Sequence, residues 1–144
     1  MKSPKHTSLN QENPSIIGGK RQIILSAQET EGDIYLVEGI MPAGSTVPIH
    51  LHQHEDEIFH VLKGKVELVL GEQTLIGEVG DIIYLPRGIK HGIKTVGEET
   101  ARVLNYVIPG KNFEAFFDEM NSRKVDAQSD DAKEIALKYG ISFL

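Results

Sequence analysis

Residues 44 to 64 hold four of the six histidines of the chain between two glycines, Gly44 and Gly64. Side chains alternate between the two faces of a strand, so His50 and His52 would project from the same face. Glu57 would return beside them if residues 53 to 56 form a tight turn. Imidazole nitrogens with a carboxylate oxygen suit divalent first-row metals. A solvated, histidine-rich turn between two strands would account for the same residues, so this segment alone leaves both interpretations open.

A second stretch, residues 80 to 91, supplies a further candidate ligand. It reads as a strand, then a Pro-x-Gly turn at residues 86 to 88, then His91 at the start of another strand. His91 would be the fourth ligand beside His50, His52 and Glu57.

Together the two stretches resemble the motifs of the cupin family. The first motif is Gly, five residues, His-x-His, three or four residues, Glu, six residues and Gly. This chain fills it with Gly44, His50, His52, Glu57 and Gly64. The second motif is Gly, five residues, Pro-x-Gly, two residues, His, three residues and Asn. Here it is filled by Gly80, Pro86, Gly88 and His91, with Thr95 in place of the Asn.

The resemblance covers residues 44 to 95 and implies a double-stranded β-helix, or jelly-roll barrel. It also implies one divalent transition metal ion as cofactor, held by His50, His52, Glu57 and His91. Iron, manganese, nickel, cobalt, copper and zinc all fit such a ligand set. The position that Thr95 occupies is not a ligand in the family, so only a local hydrogen bond is in doubt there.

Short apolar runs separated by Gly, Pro and Asp predict an antiparallel β-sandwich or β-barrel over residues 16 to 109, and the resemblance implies the jelly-roll barrel. The nine predicted strands are Gln22 to Ala27, Asp33 to Met41, Val47 to His52, Ile58 to Leu62, Lys65 to Leu70, Gln73 to Ile76, Asp81 to Leu85, Gly92 to Val96 and Arg102 to Ile108. Residues 1 to 15 are polar and are predicted to form a flexible arm.

After Pro109 and Gly110 the apolar residues recur with helical spacing. Two stripes predict two short helices, with Asn112 as the N-cap of the first and Gly140 as the end of the second. The stripes are Phe113, Phe116, Phe117 and Met120, and then Ala132, Ile135, Ala136 and Tyr139. Residues 110 to 144 are therefore expected to be a helical extension packed on the barrel.

The net charge of -6 argues against a nucleic-acid or anionic-membrane surface, because such surfaces need clustered Lys and Arg. The chain has no cysteine, which fits a reducing compartment. Its first residues resemble no signal peptide, and no apolar run reaches the length of a membrane span. We expect a cytoplasmic protein that acts on a small molecule.

Strand alternation predicts what surrounds the metal. Phe59 and Val61 should share the inward face of Glu57, and Ile93 and Thr95 that of His91. With Val47 and Leu68, these residues form the predicted substrate pocket. The opposite face of the Glu57 strand is also apolar, which predicts that a second subunit covers it in a homodimer.

The remaining histidines are not expected to bind metal. His6 lies in the polar arm, and His60 has the parity opposite to Glu57. His54 shares the parity of His52, but choosing it as a ligand would lose the spacing from Gly44. Glu55 and Asp56 are interpreted as turn residues, so no second inward acid is expected.

A less specific resemblance concerns the first helix and residues 138 to 141, which are similar to those of small cupins grouped with flavonol (quercetin) dioxygenases. It implies an oxidoreductase that acts on an enolisable or aromatic substrate, with Glu57 as both ligand and general base. Two alternatives remain open. One is a non-redox isomerase or lyase in which the metal polarises a carbonyl, and the other is a non-catalytic, ligand-binding barrel.

Overall fold

The computed structural model describes residues 1–9 and 21–144. Within these ranges the chain forms ten β-strands, one 3-10 helix at Ala27–Thr30 and two α-helices. The strands are β1 Arg21–Leu25, β2 Tyr35–Met41, β3 Thr46–His52, β4 Asp56–Lys63, β5 Lys65–Leu70, β6 Gln73–Gly77, β7 Ile82–Leu85, β8 His91–Val96, β9 Ala101–Ile108 and β10 Ile141–Phe143. The helices are α1 Lys111–Ser122 and α2 Asp130–Lys138.

Two five-stranded sheets face each other, and the neighbouring strands of each sheet are antiparallel. The first sheet has the order β1-β2-β9-β4-β7 and the second the order β10-β3-β8-β5-β6. Strands that are distant in sequence are neighbours in both sheets, as in a double-stranded β-helix. The predicted all-β jelly-roll barrel with two short helices is confirmed.

Alternation along the strands separates the core from the outer faces. In β4, Glu57, Phe59 and Val61 are buried, whereas Ile58 and His60 between them are partly exposed. The apolar side chains of the inward faces pack into one cluster between the sheets. Its buried members are Met41, Phe59, Val61, Val66, Leu68, Ile83, Leu85, Ile93, Ala101 and Val103.

A second apolar cluster joins the helices to one end of the barrel. The predicted helical stripe supplies Phe113, Phe116 and Met120 to it, and α2 adds Ala132, Ile135 and Ala136. From the barrel, Tyr35, Val37, Val107 and Ile141 complete the cluster with the 3-10 residue Ala27. The helices therefore pack against the end of the barrel at which β9 runs into α1.

The predicted helical extension ends in a short strand that the sequence did not predict. Gly140 ends α2 with φ at +74°, as the sequence predicts, but the next three residues form β10. β10 pairs with β3, where Ile141 lies opposite His52 and Phe143 opposite His50. A three-residue strand is too short to give a periodic signal, so only its partner strand reveals it.

Two local predictions are also corrected. Ala27 does not extend β1, because Ser26 caps a 3-10 helix that begins at Ala27. Asn112 is not an N-cap, because α1 begins at Lys111 after Gly110. Gly110 passes so close to β2 that a Cβ atom built on it would lie 2.3 Å from the Tyr35 backbone nitrogen.

The described N-terminal residues 1–9 have no regular secondary structure. Lys2 forms an ion pair with Asp33, and Lys5 forms one with Glu29. The rest of the predicted arm, residues 10 to 15, and the first residues of the predicted barrel, 16 to 20, lie outside the described residues. The domain boundaries thus stay predictions. In the described ranges no helix has the length and apolar character needed to cross a membrane.

Candidate metal centre

Three histidines and one glutamate meet inside the barrel. His50 and His52 lie on β3, Glu57 lies on β4 and His91 opens β8. All four are buried, and one potential ligand atom of each lies within 4.8 Å of those of the others. The structure brings together the four residues that the sequence predicts to be ligands.

The sheets explain how residues distant in sequence come together. His50 and His91 are directly opposite each other on the paired strands β3 and β8 of the second sheet. Glu57 belongs to the first sheet and approaches from the facing side. The turn before β8 is fixed by a hydrogen bond of 2.7 Å from the Gly88 backbone nitrogen to the His52 carbonyl oxygen. The site therefore bridges both sheets.

A hydrogen-bond acceptor lies near the Nδ1 atom of each histidine. The His50 Nδ1 atom lies 2.7 Å from the Pro48 carbonyl oxygen, and the His91 Nδ1 atom lies 3.4 Å from that of Ile89. The His52 Nδ1 atom lies 3.4 Å from a Glu55 carboxylate oxygen. Acceptors at Nδ1 favour the tautomer with the proton there, which leaves Nε2 as the donor to a metal.

Three of the ligand-candidate atoms at the centre have no hydrogen-bond partner among the described residues, and a bound cation would supply the missing interaction. Glu57 Oε2 lies 3.2 Å from His52 Nε2 and 3.0 Å from His91 Nε2. Despite these short distances, none of the three atoms has a partner in hydrogen-bonding geometry within the described chain. Leaving a buried polar atom unpaired costs roughly 1–3 kcal/mol. The donor set thus fits a divalent metal ion, whose identity the geometry leaves open.

Electrostatics at the centre favour the metal-binding protonation states of two ligands. Burial, with the neighbouring His91 and His52, lowers the pKa of His50 to about 4, so its imidazole is neutral at neutral pH. Burial alone would raise the pKa of Glu57, but the adjacent imidazoles of His91, His52 and His50 bring it down to about 2. Glu57 is therefore ionised at neutral pH.

For His52 two influences oppose each other. Burial acts to lower the pKa of its imidazole, whereas the hydrogen bond to Glu55 and the charges of Glu57 and Glu55 act to raise it. The raising influences prevail, so the pKa of His52 lies above its ordinary value.

Sequence reasoning missed two polar residues at the centre. Asn105 on β9 donates from Nδ2 to Glu57 Oε1 at 3.0 Å. Glu55 lies in the turn, as predicted, but it is only 1% exposed and contacts His52, so the expectation of no second inward acid is wrong. An amide within the apolar run of β9 is the one signal that pointed to Asn105.

The six predicted pocket residues have different surroundings. Phe59, Val61, Leu68 and Ile93 belong to the packed cluster between the sheets. The remaining two, Val47 and Thr95, lie outside that cluster. Val47 pairs with Ile93 but is 39% exposed. Thr95 is buried and donates from its hydroxyl to the Met41 carbonyl oxygen at 3.1 Å, so a hydroxyl supplies a hydrogen bond where the family motif has Asn.

The other histidines lie outside the cluster. His54 is exposed in the turn after β3, where its ring would touch a Cβ atom built on Gly140. His60 is half-buried on β4, on the face opposite to Glu57, and His6 is exposed.

Comparisons with known proteins agree with this fold. The family described as Cupin domain (Cupin_2) matches residues 32–107, and the chain belongs to the cupin family. It is 32% identical over 69 residues to an uncharacterized protein, MJ1618, of Methanocaldococcus jannaschii, covering 48% of this chain and 55% of that one. It is 25% identical over 96 residues to quercetin 2,3-dioxygenase of Bacillus subtilis, covering 67% of this chain and 28% of the enzyme.

One solved structure illustrates the shared fold. The crystal structure of a predicted oxalate decarboxylase from Thermotoga maritima superposes with a TM-score of 0.60 at 23% identity, over 62% of this chain and 78% of that one. This likeness concerns the fold alone. The chain spans about half of the archaeal relative and under a third of the Bacillus enzyme.

Proposed function

We propose that this cupin is a metal-dependent oxidoreductase of the dioxygenase type that acts on a small enolisable or aromatic substrate. The observation that carries the proposal is the set of inward donor atoms on His52, His91 and Glu57, which are buried without hydrogen-bond partners. His50, His52, Glu57 and His91 would hold the ion. A bound transition metal would supply Lewis acidity and, if redox-active, a means of activating dioxygen.

Three observations support the proposal. Four side chains supply the donors, which leaves positions free on an ion of octahedral preference. Backbone carbonyls or Glu55 orient the imidazoles, so their geometry does not depend on substrate. The similarity to quercetin 2,3-dioxygenase adds weight on the side of oxygen chemistry.

Glu57 is the proposed catalytic residue. Its two oxygens have separate environments, because Oε1 accepts from Asn105 while Oε2 faces the imidazoles. We assign anchoring to Oε1, whereas Oε2 would be the metal ligand and, when its bond to the ion loosens, the general base. Because the neighbouring imidazoles keep Glu57 ionised despite its burial, its carboxylate is available as a general base for an enol or phenol proton.

Phe59 is the pocket candidate with a visible contact to the centre, because its ring lies 6.3 Å from that of His91 in an edge-on arrangement. We propose that Phe59 and the other predicted lining residues bind the apolar part of the substrate. Val47 would contribute from the rim, where it is exposed.

We also propose a homodimer formed through the outer face of the first sheet. Ile82 and Tyr84 of the edge strand β7 are 69% and 57% exposed, and Ile108 of β9 is 40% exposed. In the strand register, Ile82 and Tyr84 lie opposite His60 and Ile58, so they continue the outward apolar face of β4. The cytoplasmic location expected from the sequence stays a prediction.

The function is tested by metal analysis followed by oxygen consumption. Iron, manganese, nickel and cobalt forms of the full chain would be assayed with flavonols, acireductones and other 1,2- or 1,3-dicarbonyl compounds. Oxygen uptake is expected with at least one combination of metal form and substrate. This uptake should disappear in His91→Ala but persist in His54→Ala. Stoichiometric metal without oxygen uptake would reject the dioxygenase in favour of an isomerase, a lyase or a binding protein.

A further inference from the structure

Glu55 is a buried acid outside the predicted ligand set. It lies in the turn between β3 and β4, and its side chain is 0% exposed. The next residue, Asp56, is also acidic but reaches the surface, where it pairs with Arg87. Enclosing a carboxylate is costly unless polar groups compensate it, so the partners of Glu55 indicate its role.

The first partner of Glu55 is the ligand candidate His52. One carboxylate oxygen, Oε1, lies 3.4 Å from His52 Nδ1. The Nε2 atom of the same ring faces Glu57 at 3.2 Å, so the ring stands between two acids. His50 and His91 differ, because the acceptors at their Nδ1 atoms are backbone carbonyls.

The second partner of Glu55 comes from the helical extension. Asn112, in the first turn of α1, donates from Nδ2 to the same Glu55 oxygen at 3.3 Å. The Asn112 amide also donates to the carbonyl oxygen of Tyr139, the C-cap of α2. The neighbouring Gln53 nitrogen donates to the Gly140 carbonyl oxygen at 2.9 Å, which fixes the turn that carries Glu55.

We propose that Glu55 is the positioning residue for His52 and that α1 holds Glu55 in place through Asn112. The inference rests on the proposed metal site. By accepting the Nδ1 proton, Glu55 fixes the tautomer of His52, aims Nε2 at the ion and makes the imidazole a stronger donor. The helical extension thereby becomes part of the metal centre although it contributes no ligand.

The test uses Co²⁺ as the probe on full-length protein. Affinity is measured by competition with a chromophoric chelator, and the visible absorption of bound Co²⁺ reports its ligand field. Glu55→Ala should weaken Co²⁺ binding about 10- to 100-fold, the usual effect of losing the partner of a ligating histidine. Glu55→Gln keeps an acceptor without the charge, so it should bind with intermediate affinity and shifted absorption bands.

Asn112→Ala should weaken binding less than Glu55→Ala, because Glu55 keeps its contact with His52. Asp56→Asn is the matched control and should leave affinity and spectrum at wild-type values. A purely structural role for Glu55 would alter stability without moving the bands of bound Co²⁺. If Glu55→Ala fails to fold, Glu55→Gln and Asn112→Ala still test whether Glu55 positions His52.

Wild-type affinity and an unchanged spectrum in Glu55→Gln and Asn112→Ala would overturn the assignment. A wild-type protein that takes up none of the divalent ions would instead overturn the metal site, and this inference with it.

Discussion

Asn105 on β9 holds one oxygen of Glu57 on β4, with 3.0 Å between the amide nitrogen and Oε1. The two residues belong to paired strands of the same sheet. This hydrogen bond leaves the other carboxylate oxygen facing His52 and His91. The orientation of the carboxylate in the four-residue cluster thus depends on a residue outside the recognised motifs.

Replacing Asn105 should therefore weaken metal binding. Asn105→Ala removes the donor and lets the Glu57 carboxylate rotate, so we expect a loss of about 10- to 100-fold in affinity for Co²⁺. Chelator competition measures the effect. Asn121→Ala, at an exposed asparagine of α1, is the control. Equal affinities of Asn105→Ala and the wild type would show that the hydrogen bond does not orient the ligand.

The ligand assignment itself makes a sharper prediction. His50→Ala and His91→Ala should each abolish stoichiometric metal uptake, because every ligand removed leaves three donors and opens the centre. His54→Ala should retain normal uptake, since His54 is exposed in the turn. Metal content of anaerobically purified protein, measured by mass spectrometry, checks this. Normal content in the first two variants would refute the site.

Gly110 should be intolerant of any side chain. In Gly110→Ala the new Cβ would meet the Tyr35 nitrogen at 2.3 Å and the Ile34 carbonyl carbon at 2.5 Å, both backbone atoms that cannot rotate away. We expect a loss of about 3 kcal/mol in the free energy of unfolding, as for severe overpacking. Urea denaturation measures it. In Gly39→Ala the Cβ meets its nearest atom at 3.7 Å, so this control should stay near wild-type stability.

The stability of the helical extension should depend on pH through Glu119. Its hydrogen bonds with Lys138, Tyr139 and Arg123 lower its pKa from 4.5 to about 2. A carboxyl group with a depressed folded-state pKa contributes stability that is complete above the unfolded value and is lost as the pH falls through the folded value. The difference in melting temperature between wild type and Glu119→Gln should therefore shrink between about pH 5 and pH 2. Thermal denaturation followed by circular dichroism would contradict this if the difference were constant with pH.

The proposed homodimer can be separated from the metal site. Tyr84→Lys and Ile82→Lys place charges on the outer face of the first sheet, so each should shift the protein from dimer to monomer in sedimentation equilibrium. Both residues are exposed in the single chain, so folding should be unaffected. A wild-type protein that is monomeric at micromolar concentration would reject the interface.

Local patterns predicted much of this structure. Alternation assigned Glu57, Phe59 and Val61 of β4 to the inward face, and helical spacing found the stripe of α1. Such patterns depend on residues two to four positions apart, which is the range over which strand and helix geometry acts. The four-residue cluster could also be predicted, because the spacing of the family motifs indicates which distant residues come together.

Contacts between residues far apart in the chain could not be predicted from the sequence. The contact of Glu55 with Asn112 depends on how α1 docks, and that in turn depends on the chain passing closely at Gly110. A Glu in a turn before a strand is ordinarily solvated, so nothing local marks Glu55 as buried. β10 was not predicted because its three residues pair with a strand that lies far back in the chain.

The pairing of β10 with β3 has a consequence for folding order. Among the described residues, the outer edge of the strand that carries His50 and His52 pairs with residues that follow both helices. Closing so long a loop costs entropy before the pairing repays it, so we expect this edge to form late. On the ribosome, the donor side chains would be present long before the strand that braces them has been synthesised.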